Sequence, residues 1–282
     1  MIQILVDSSS DYSLSEIKEK NMEFVPISIT IGADNYIEGQ NLTRNEFYEI
    51  LKSSEEFPMT SQPSPQAFLE IFRSIKERGD ELICILLSSK LSGTYQSAVL
   101  AKNMADYDNI HLIDSLSATY SIKIMADYAC RLREKGLSSG DIIAKIEALK
   151  ARVKVIAALD TLEYLKRGGR ISKAAAAIGD MANIKPVITV TEEGKVGILS
   201  KGIGKNKAAA NIVKQLQEMD IDPQFPLYSI YTYGTDNCVK LETKLSDNGF
   251  LISSRLQIGA TIGAHVGPEA FGAIAVEKSK AD

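Results

Sequence analysis

Short apolar runs alternate with helix-like segments through the first half of this chain, and this alternation limits the folds that the chain can adopt. The runs at 2–6, 82–87 and 110–113 are each followed by a segment with helical spacing of apolar residues. Parallel strands need a crossover connection, usually a helix, between them. The alternation therefore predicts an α/β fold whose N-terminal α/β/α domain has a mostly parallel sheet with helices on both faces.

The second half has a different order of elements, which predicts a smaller C-terminal α+β domain with a mixed sheet. The turn Glu192-Glu193-Gly194-Lys195 lies between two apolar runs and predicts a hairpin. We place the boundary after residue 155, so the predicted domains are 1–155 and 156–282. The other predicted strands are 24–31, 153–159, 226–233, 250–256 and 272–277, and the predicted helices are 13–20, 43–53, one that starts at 64–65, 93–105, 116–135, 205–219 and 235–247.

The charge balance argues against nucleic acid as a partner. The chain has 32 Lys and Arg against 36 Asp and Glu, for a net charge of −4. Nucleic-acid binding requires a basic face that neutralises phosphates, and basic and acidic residues alternate along this sequence instead. The DNA-binding class of function is therefore disfavoured.

Cysteine use and hydropathy favour a cytoplasmic protein. The three cysteines, Cys84, Cys130 and Cys238, are far apart and form no CxxC pair, so neither a disulfide framework nor a zinc site is expected. The N-terminus lacks the pattern of a signal peptide. The longest strongly apolar run, 82–87, is too short to span a bilayer. We therefore expect transient membrane contact at most, and any lipid would have to be carried inside the protein.

Small polar residues follow four of the predicted strands. They are Asp7-Ser8-Ser9-Ser10, Ser88-Ser89, Asp114-Ser115 and Asp160-Thr161. In sheets of parallel strands, ligands bind beyond the carboxyl ends of the strands. These residues therefore either cap the helices that follow them or line a binding site at one edge of the sheet.

Four separated segments contain most of the residues suited to binding or catalysis. The second segment, residues 88–95, joins a buried strand to a helix. There Gly93 permits close approach to the backbone, and the free N–H groups at the start of the helix favour an anion. In the third, the paired glycines are expected to end a helix, with Lys166, Arg167 and Arg170 around its end. The segments are Thr60-Ser61-Gln62-Pro63-Ser64-Pro65, Ser88-Ser89-Lys90-Leu91-Ser92-Gly93-Thr94-Tyr95, the stretch 160–172 (DTLEYLKRGGRIS) and the stretch 258–270 (IGATIGAHVGPEA).

Taken together, these four segments resemble the motifs of the DegV family. The patterns TSQPS, SSxLSGTYQSA, DTLEYLxRGGRI and IGxxIGxHxGP occur in the family's order and at its separations, and the resemblance covers nearly the whole chain. It implies an N-terminal α/β/α domain and a smaller C-terminal α/β domain with a lipid held between them. This implied architecture agrees with the one predicted from the pattern of apolar residues.

The resemblance also implies roles for individual residues. Thr60 and Ser92 match hydroxyls that hold a fatty-acid carboxylate, and their neighbours Ser61, Gly93 and Thr94 belong to the same implied site. The implied site also includes His265, close to the head group.

The resemblance also implies a residue that acts with a kinase partner, and two positions of this chain depart from the family's pattern. Arg170 matches an arginine linked to action with a kinase partner. The family tends to have an arginine after the hairpin, for which Lys201 or Lys205 is the candidate here. Glu269 stands where the family usually has glycine, and we expect its side chain to point away from an anionic head group.

The implied function is that of a lipid carrier. The chain would bind a long-chain fatty acid and present its carboxylate to the ATP-binding subunit of a fatty acid kinase. The acyl phosphate formed there would then be used by an acyltransferase in phospholipid synthesis. The chain has no GxxxxGK[ST] loop, so the phosphoryl transfer is expected from the separate kinase. No metal or cofactor is expected.

Two further functions are compatible with the same residues. A serine hydrolase would use Ser92 and His265, with Asp114 or Asp160 as the acid, although the GxSxG nucleophile elbow is absent. A regulatory sensor would bind a lipid without supplying it to a kinase. A reactive-serine probe that labels Ser92 would favour the hydrolase.

Overall fold

Three sheets and the helices around them make up the computed structural model, which describes residues 1–172 and 183–279. The strands are β1 Ile2–Asp7, β2 Glu23–Val25, β3 Ser28–Ile31, β4 Asp34–Tyr36, β5 Met59–Ser61, β6 Glu81–Leu86, β7 Ile110–Asp114, β8 Val153–Ala158, β9 Ile184–Val190, β10 Val196–Ile203, β11 Tyr228–Tyr231, β12 Ser254–Gln257 and β13 Phe271–Val276. The helices are α1 Leu14–Glu19, α2 Arg44–Ser53, α3 Pro65–Arg78, α4 Thr94–Ala105, α5 Tyr120–Glu134, α6 Ser139–Lys150, α7 Glu163–Arg167, α8 Gly204–Gln217, α9 Asp236–Asp247 and α10 Ala260–Val266.

The predicted parallel sheet is present and has four strands in the order β2-β1-β6-β7, all parallel. Helices α3 and α4 cover one face, where Phe68 and Phe72 lie among fully buried residues. Helices α5 and α6 cover the other face. The apolar runs of β1 and β6 are buried on both sides, which is why they show no alternation of polar and apolar residues in the sequence.

The C-terminal sheet is mixed, as predicted, and has six strands in the order β10-β9-β8-β13-β11-β12. Only β11 and β12 pair in parallel. Strand β8 lies between β9 and β13 and is antiparallel to both. The sequence analysis instead predicts that the carboxyl end of β8 lies at the same sheet edge as the carboxyl ends of β1, β6 and β7. The predicted domain boundary after residue 155 falls inside this strand. The apolar pattern of β8 predicts a strand but contains no information about which sheet it joins.

The predicted strand at 24–31 is in fact two strands in different sheets. Pro26 lies between β2 and β3 and cannot donate a ladder hydrogen bond, so the chain leaves the parallel sheet there. Strands β4, β3 and β5 form a small antiparallel sheet that the sequence analysis did not predict. This sheet packs with α2 and α10, and it places Thr60 of the first motif on β5.

Two helices differ from the prediction for local reasons. Helix α5 begins at Tyr120 rather than near residue 116, because Leu116 and Thr119 have positive φ angles that a right-handed helix does not allow. The glycine-rich fourth motif contains a seven-residue helix, α10, although its composition is typical of a turn. Helix α6 was not predicted.

Among the described residues, no helix combines the length and apolar character needed to cross a membrane.

Candidate functional site

An apolar cavity lies between the carboxyl edge of the parallel sheet and one face of the six-stranded sheet. The space between the protein atoms that line it, including the part that opens to solvent, is about 790 Å³. Most of its wall is aliphatic. The aliphatic residues are Ile27, Leu87, Leu91, Ala118, Val155, Ala157, Leu165, Ile188, Val190, Val196, Ile230, Ile258, Ile262 and Val266.

Strand β8 shows how the fold builds this wall. Val155 and Ala157 face the cavity, while Ile156 and Ala158 pack on the opposite face against α8 and α9. Alternate residues of a strand point to opposite faces, so one strand serves both the cavity and the core behind the sheet. The sequence analysis did not select these residues, although the period of two along β8 could have identified them once its sheet was known.

Two threonines of the wall add little polarity because their hydroxyls are occupied by the protein. Thr119 donates a 2.5 Å hydrogen bond to the Asp11 carboxylate. The Thr261 hydroxyl lies 3.0 Å from that of Ser8. The cavity is therefore apolar along most of its length, which suits a hydrocarbon chain.

Four polar side chains gather at one part of the cavity wall, and all four were predicted from the motifs. They are Thr60, Ser92, Arg170 and His265. The Thr60 hydroxyl lies 2.8 Å from His265 Nε2. Ser92, just before α4, has its hydroxyl 2.9 Å from that of Thr94. Each of the four sequence motifs thus contributes one side chain to this polar cluster.

Arg170 brings a partly desolvated positive charge to the cluster. Its guanidinium donates to the carbonyl oxygens of Leu91, at 2.9 Å, and Gly168. Burial lowers its pKa. Within the described parts of the chain, no carboxylate forms an ion pair with Arg170. The site therefore has an attraction for an anion that the described residues leave uncompensated.

The imidazole of His265 is held neutral. Burial, together with the positive charge of Arg170, lowers its pKa from 6.5 to about 4. Nδ1 is buried and has no hydrogen-bond partner among the described residues. A side chain at Gly168 would begin 2.4 Å from this nitrogen, so the first glycine of the GGR sequence is required for close packing against the ring.

The other predicted site residues lie outside the cavity wall. Ser61 is exposed, Gly93 is the cap residue of α4, and Thr94 is buried beneath Ser92. Lys201 is exposed and is not part of the cavity lining. Glu269 pairs with Lys205 and does not line the cavity, and the orientation of its side chain relative to a bound head group stays a prediction.

The arrangement needed for a serine hydrolase is not assembled. Ser92 and His265 form no hydrogen bond with each other, because each is bonded to a threonine. Asp114 accepts hydrogen bonds from the backbone of Ser89 and Leu116.

The second candidate acid, Asp160, is bound elsewhere as well. It accepts a 2.6 Å hydrogen bond from Lys185 rather than lying at the edge of the parallel sheet. Among the residues that the structure describes, no carboxylate reaches the buried Nδ1 of His265 to orient the base as in a triad. In the described ranges, no group of three or more metal-ligating side chains is present.

The titration of His265 yields a prediction about stability. Because its folded pKa is below the ordinary value of 6.5, the unfolded chain binds more protons between about pH 6.5 and pH 4. Stability should therefore be lost as the pH falls through this window, by an amount on the order of 2 kcal/mol. We expect His265→Gln to flatten this part of the profile in urea unfolding measured at several pH values.

A second histidine provides the control. The pKa of His111 is also lowered, chiefly by burial, so His111→Gln removes a contribution of the same sign at a site remote from the cavity. Profiles of wild type and His265→Gln that run parallel between pH 6.5 and pH 4 would contradict the assignment.

Comparison with known proteins agrees with the motifs and the cavity. A family model described as "Uncharacterised protein, DegV family" matches residues 1–278. The chain belongs to the DegV family. A DegV domain-containing protein of Caldanaerobacter subterraneus subsp. tengcongensis is 34% identical over 279 residues, which cover 98% of this chain and 99% of that protein.

Solved structures of other DegV proteins share the whole fold. A fatty-acid-binding DegV protein of Thermus thermophilus is 30% identical, with a TM-score of 0.88 over 98% of this chain and 99% of that one. A stearic-acid-binding protein of Eubacterium ventriosum is also 30% identical, with a TM-score of 0.86 over 99% of both chains. The fatty-acid-binding DegV of Bacillus subtilis is 29% identical, with a TM-score of 0.84 over 98% of this chain and 99% of that one.

Proposed function

We propose that this chain binds one long-chain fatty acid, with the hydrocarbon tail in the apolar cavity and the carboxylate at the polar cluster. The observation that carries the proposal is a long aliphatic wall joined to one cluster of hydroxyls, an imidazole and an arginine. The fatty-acid-binding DegV proteins of the same fold support it.

Burial of the tail supplies the driving force. Each methylene removed from water contributes about 0.8 kcal/mol, so a chain of about 14 methylenes contributes roughly 11 kcal/mol before other terms are subtracted. Association and ordering costs reduce this by several kcal/mol or more. The remainder allows tight but reversible binding. The selectivity of such a site depends on the length and shape of the tail.

The proposed head-group donors are three side chains of the cavity wall, Thr60, Ser92 and Arg170. We infer that His265 carries its proton on Nε2, because Nδ1 is buried with no hydrogen-bond partner among the described residues and a proton there would leave a donor unsatisfied. His265 then donates to the Thr60 oxygen, and the Thr60 hydroxyl proton is free to bond a carboxylate. Ser92 is a second donor, and Arg170 supplies the positive charge. Ser61 follows Thr60 on β5, and Gly93 and Thr94 follow Ser92 at the start of α4, so these three residues shape the backbone around the two hydroxyls.

The proposed role of the bound acid is to be phosphorylated by a partner. The ATP-binding subunit of a fatty acid kinase would transfer a phosphoryl group to the carboxylate, and an acyltransferase would use the acyl phosphate in phospholipid synthesis. Arg170 is the proposed contact for this step because it is charged, half-buried and beside the head group. Lys201, which is exposed on β10, is a candidate contact with the kinase surface. This part of the proposal rests on the motif resemblance.

The first experiment is mass spectrometry of lipid that co-purifies with the protein, under native and denaturing conditions. A stoichiometric fatty acid, bound non-covalently, is the expected result and would identify the preferred tail. A protein that stays empty after incubation with mixed fatty acids would refute the carrier proposal. A covalent acyl adduct on Ser92 would favour the hydrolase instead.

The second experiment tests the partner. Purified carrier with bound acid is incubated with ATP and a bacterial fatty acid kinase subunit that is active with its own carrier, and acyl phosphate is measured. In Arg170→Ala we expect weaker fatty-acid binding, and we expect product formation to stay lost when the fatty acid is raised to a concentration that saturates the variant. Binding without phosphorylation would favour the regulatory sensor.

The head-group donors yield a prediction of their own. Thr60→Val and Ser92→Ala should each weaken fatty-acid binding about tenfold, because a hydrogen bond to a charged group contributes about 1.5–3 kcal/mol. Binding of the fatty alcohol of equal length should change much less. The control is Thr189→Val, a threonine of the same cavity whose hydroxyl bonds a backbone carbonyl. Equal losses for the acid and the alcohol would contradict these roles.

A further inference from the structure

Helix α10 carries His265 to the head-group site, yet its own residues do little to stabilise it. It has seven residues, and isolated helices of fewer than about 12 residues are marginal in water. Its cap residue Gly259 has no side chain that could bond the first turn. Further glycines, Gly263 and Gly267, lie within it and just after it. Contacts from elsewhere in the fold must therefore hold this helix in place.

Two carboxylates from distant segments bond the start of the helix. The backbone N–H of Gly259 donates to Asp11 Oδ1 at 3.0 Å, and that of Ala260 donates to Glu38 Oε2 at 2.6 Å. Negative charge is favourable at a helix N-terminus. A Cβ atom at position 259 would lie 2.6 Å from an oxygen of each carboxylate, so only glycine leaves room for both.

Arg44 joins these two carboxylate-bearing segments into one network. Its Nε donates to Glu38 Oε1 at 2.6 Å, and its Nη2 donates to the Asp11 carbonyl oxygen at 2.7 Å. Its Nη1 donates at 2.7 Å to both the Tyr120 hydroxyl and the Gln257 carbonyl oxygen. Only 11% of the Glu38 side chain and 21% of the Arg44 side chain are exposed, so water competes weakly for these bonds.

The network and the head-group site lie at opposite ends of the same helix. Thr261 and His265 are four residues apart and therefore lie on one face of α10. The Thr261 hydroxyl lies 3.0 Å from the Ser8 hydroxyl, and His265 Nε2 lies 2.8 Å from the Thr60 hydroxyl. The network residues line a polar cleft that shares no lining residue with the apolar cavity. A change at Glu38 can thus reach the ligand through the position of α10, whereas Asp11 also contacts the cavity wall through Thr119.

We propose that Glu38, together with Asp11 and Arg44, is a positioning residue for the head-group site. It fixes the first turn of α10 so that His265 stays against Thr60, and it does not touch the ligand. The inference rests on the proposed binding of a fatty acid. Glu38 is the better residue to replace, because burial raises the pKa of Asp11 to about 7 and so leaves that carboxyl partly protonated at neutral pH.

The test compares two ligands that differ only in the head group. We would measure the affinities of hexadecanoic acid and hexadecan-1-ol for wild type, Glu38→Ala, Glu38→Gln and Glu16→Ala. The expected result is a fall of about tenfold in the preference for the acid in Glu38→Ala, since a charge-assisted hydrogen bond is lost at the displaced site. Glu38→Gln keeps an oxygen that can accept from Ala260, so it should recover part of this preference.

Glu16→Ala is the matched control. Glu16 lines the same polar cleft and pairs with Lys123, but it makes no hydrogen bond to α10. Its replacement should leave the preference for the acid unchanged. An unchanged preference in Glu38→Ala, or an equal fall in Glu16→Ala, would overturn the inference.

A ligand-free measurement separates this inference from the proposed function. The chain has two histidines, so the ring protons of His265 can be assigned in NMR spectra by comparison with His265→Gln. In Glu38→Ala we expect the pKa of His265 to move from about 4 towards 6.5, because the ring becomes solvated when α10 shifts. A titration identical to that of wild type would overturn the positioning role. Wild-type protein that binds neither ligand would refute only the proposed function. If Glu38→Ala does not fold, Glu38→Gln carries both measurements.

Discussion

Replacing Ala157 with phenylalanine should reduce the affinity for long-chain fatty acids by about 100-fold. The Ala157 side chain faces the apolar cavity from β8, and an aromatic ring there would occupy space proposed for the tail. If the ring displaces about four methylenes at about 0.8 kcal/mol each, the loss is about 3 kcal/mol. Titration of the purified variant with a fluorescent long-chain fatty acid measures the effect.

The control for this variant is Ala148→Phe, on the exposed side of α6. It adds the same ring without entering the cavity, and its affinity should equal that of wild type. Fatty acids of progressively shorter length should lose less affinity for Ala157→Phe, since fewer methylenes would be displaced. A uniform loss at every length, or no loss at all, would contradict the assignment of the cavity to the tail.

Replacing Phe72 with alanine should lower the free energy of unfolding by about 3–5 kcal/mol. Phe72 is fully buried between α3 and the parallel sheet, and its ring centroid lies 5.8 Å from that of Phe68. Truncation removes apolar burial and leaves a cavity that close-packed neighbours fill only in part. Urea unfolding of wild type and Phe72→Ala measures the change. The slope of the free energy of unfolding against urea concentration should be the same for the two proteins if both unfold in two states.

Leu100→Ala is the matched control for core packing. Leu100 lies on α4 beside α3 but is 46% exposed, so its truncation should cost much less. Because Phe72 packs beneath α3 and does not line the cavity, the folded Phe72→Ala protein should bind fatty acid as wild type does. A loss of less than about 1 kcal/mol, or equal losses for the two variants, would contradict the assigned core.

The residues of the polar cluster were predicted from the sequence, whereas those of the aliphatic wall were not. The four motifs supplied Thr60, Ser92, Arg170 and His265, and the structure brings all four side chains to one wall. Their residue types are chemically distinctive, and each lies beside turn or capping residues that can be read locally. The aliphatic residues of the cavity wall have no such signature. Valine, isoleucine and alanine occur at the same sequence spacings whether they line a cavity or fill a core.

The sequence by itself determined the strand and helix periods, the helix caps at Thr43 and Ser64, the parallel sheet and the family. These features depend on local periodicity, on hydrogen bonds between near neighbours, or on motif order.

Only the tertiary structure decided that β8 joins the mixed sheet, that a glycine-rich stretch forms α10, and that Glu38 and Asp11 hold its first turn. The choice of sheet depends on pairing between strands more than 100 residues apart in sequence, as for Val153 and Val276. Likewise, the carboxylates that bond α10 come from more than 200 residues away. Local patterns contain no information on such pairings, because their free energy exists only when the distant partners meet.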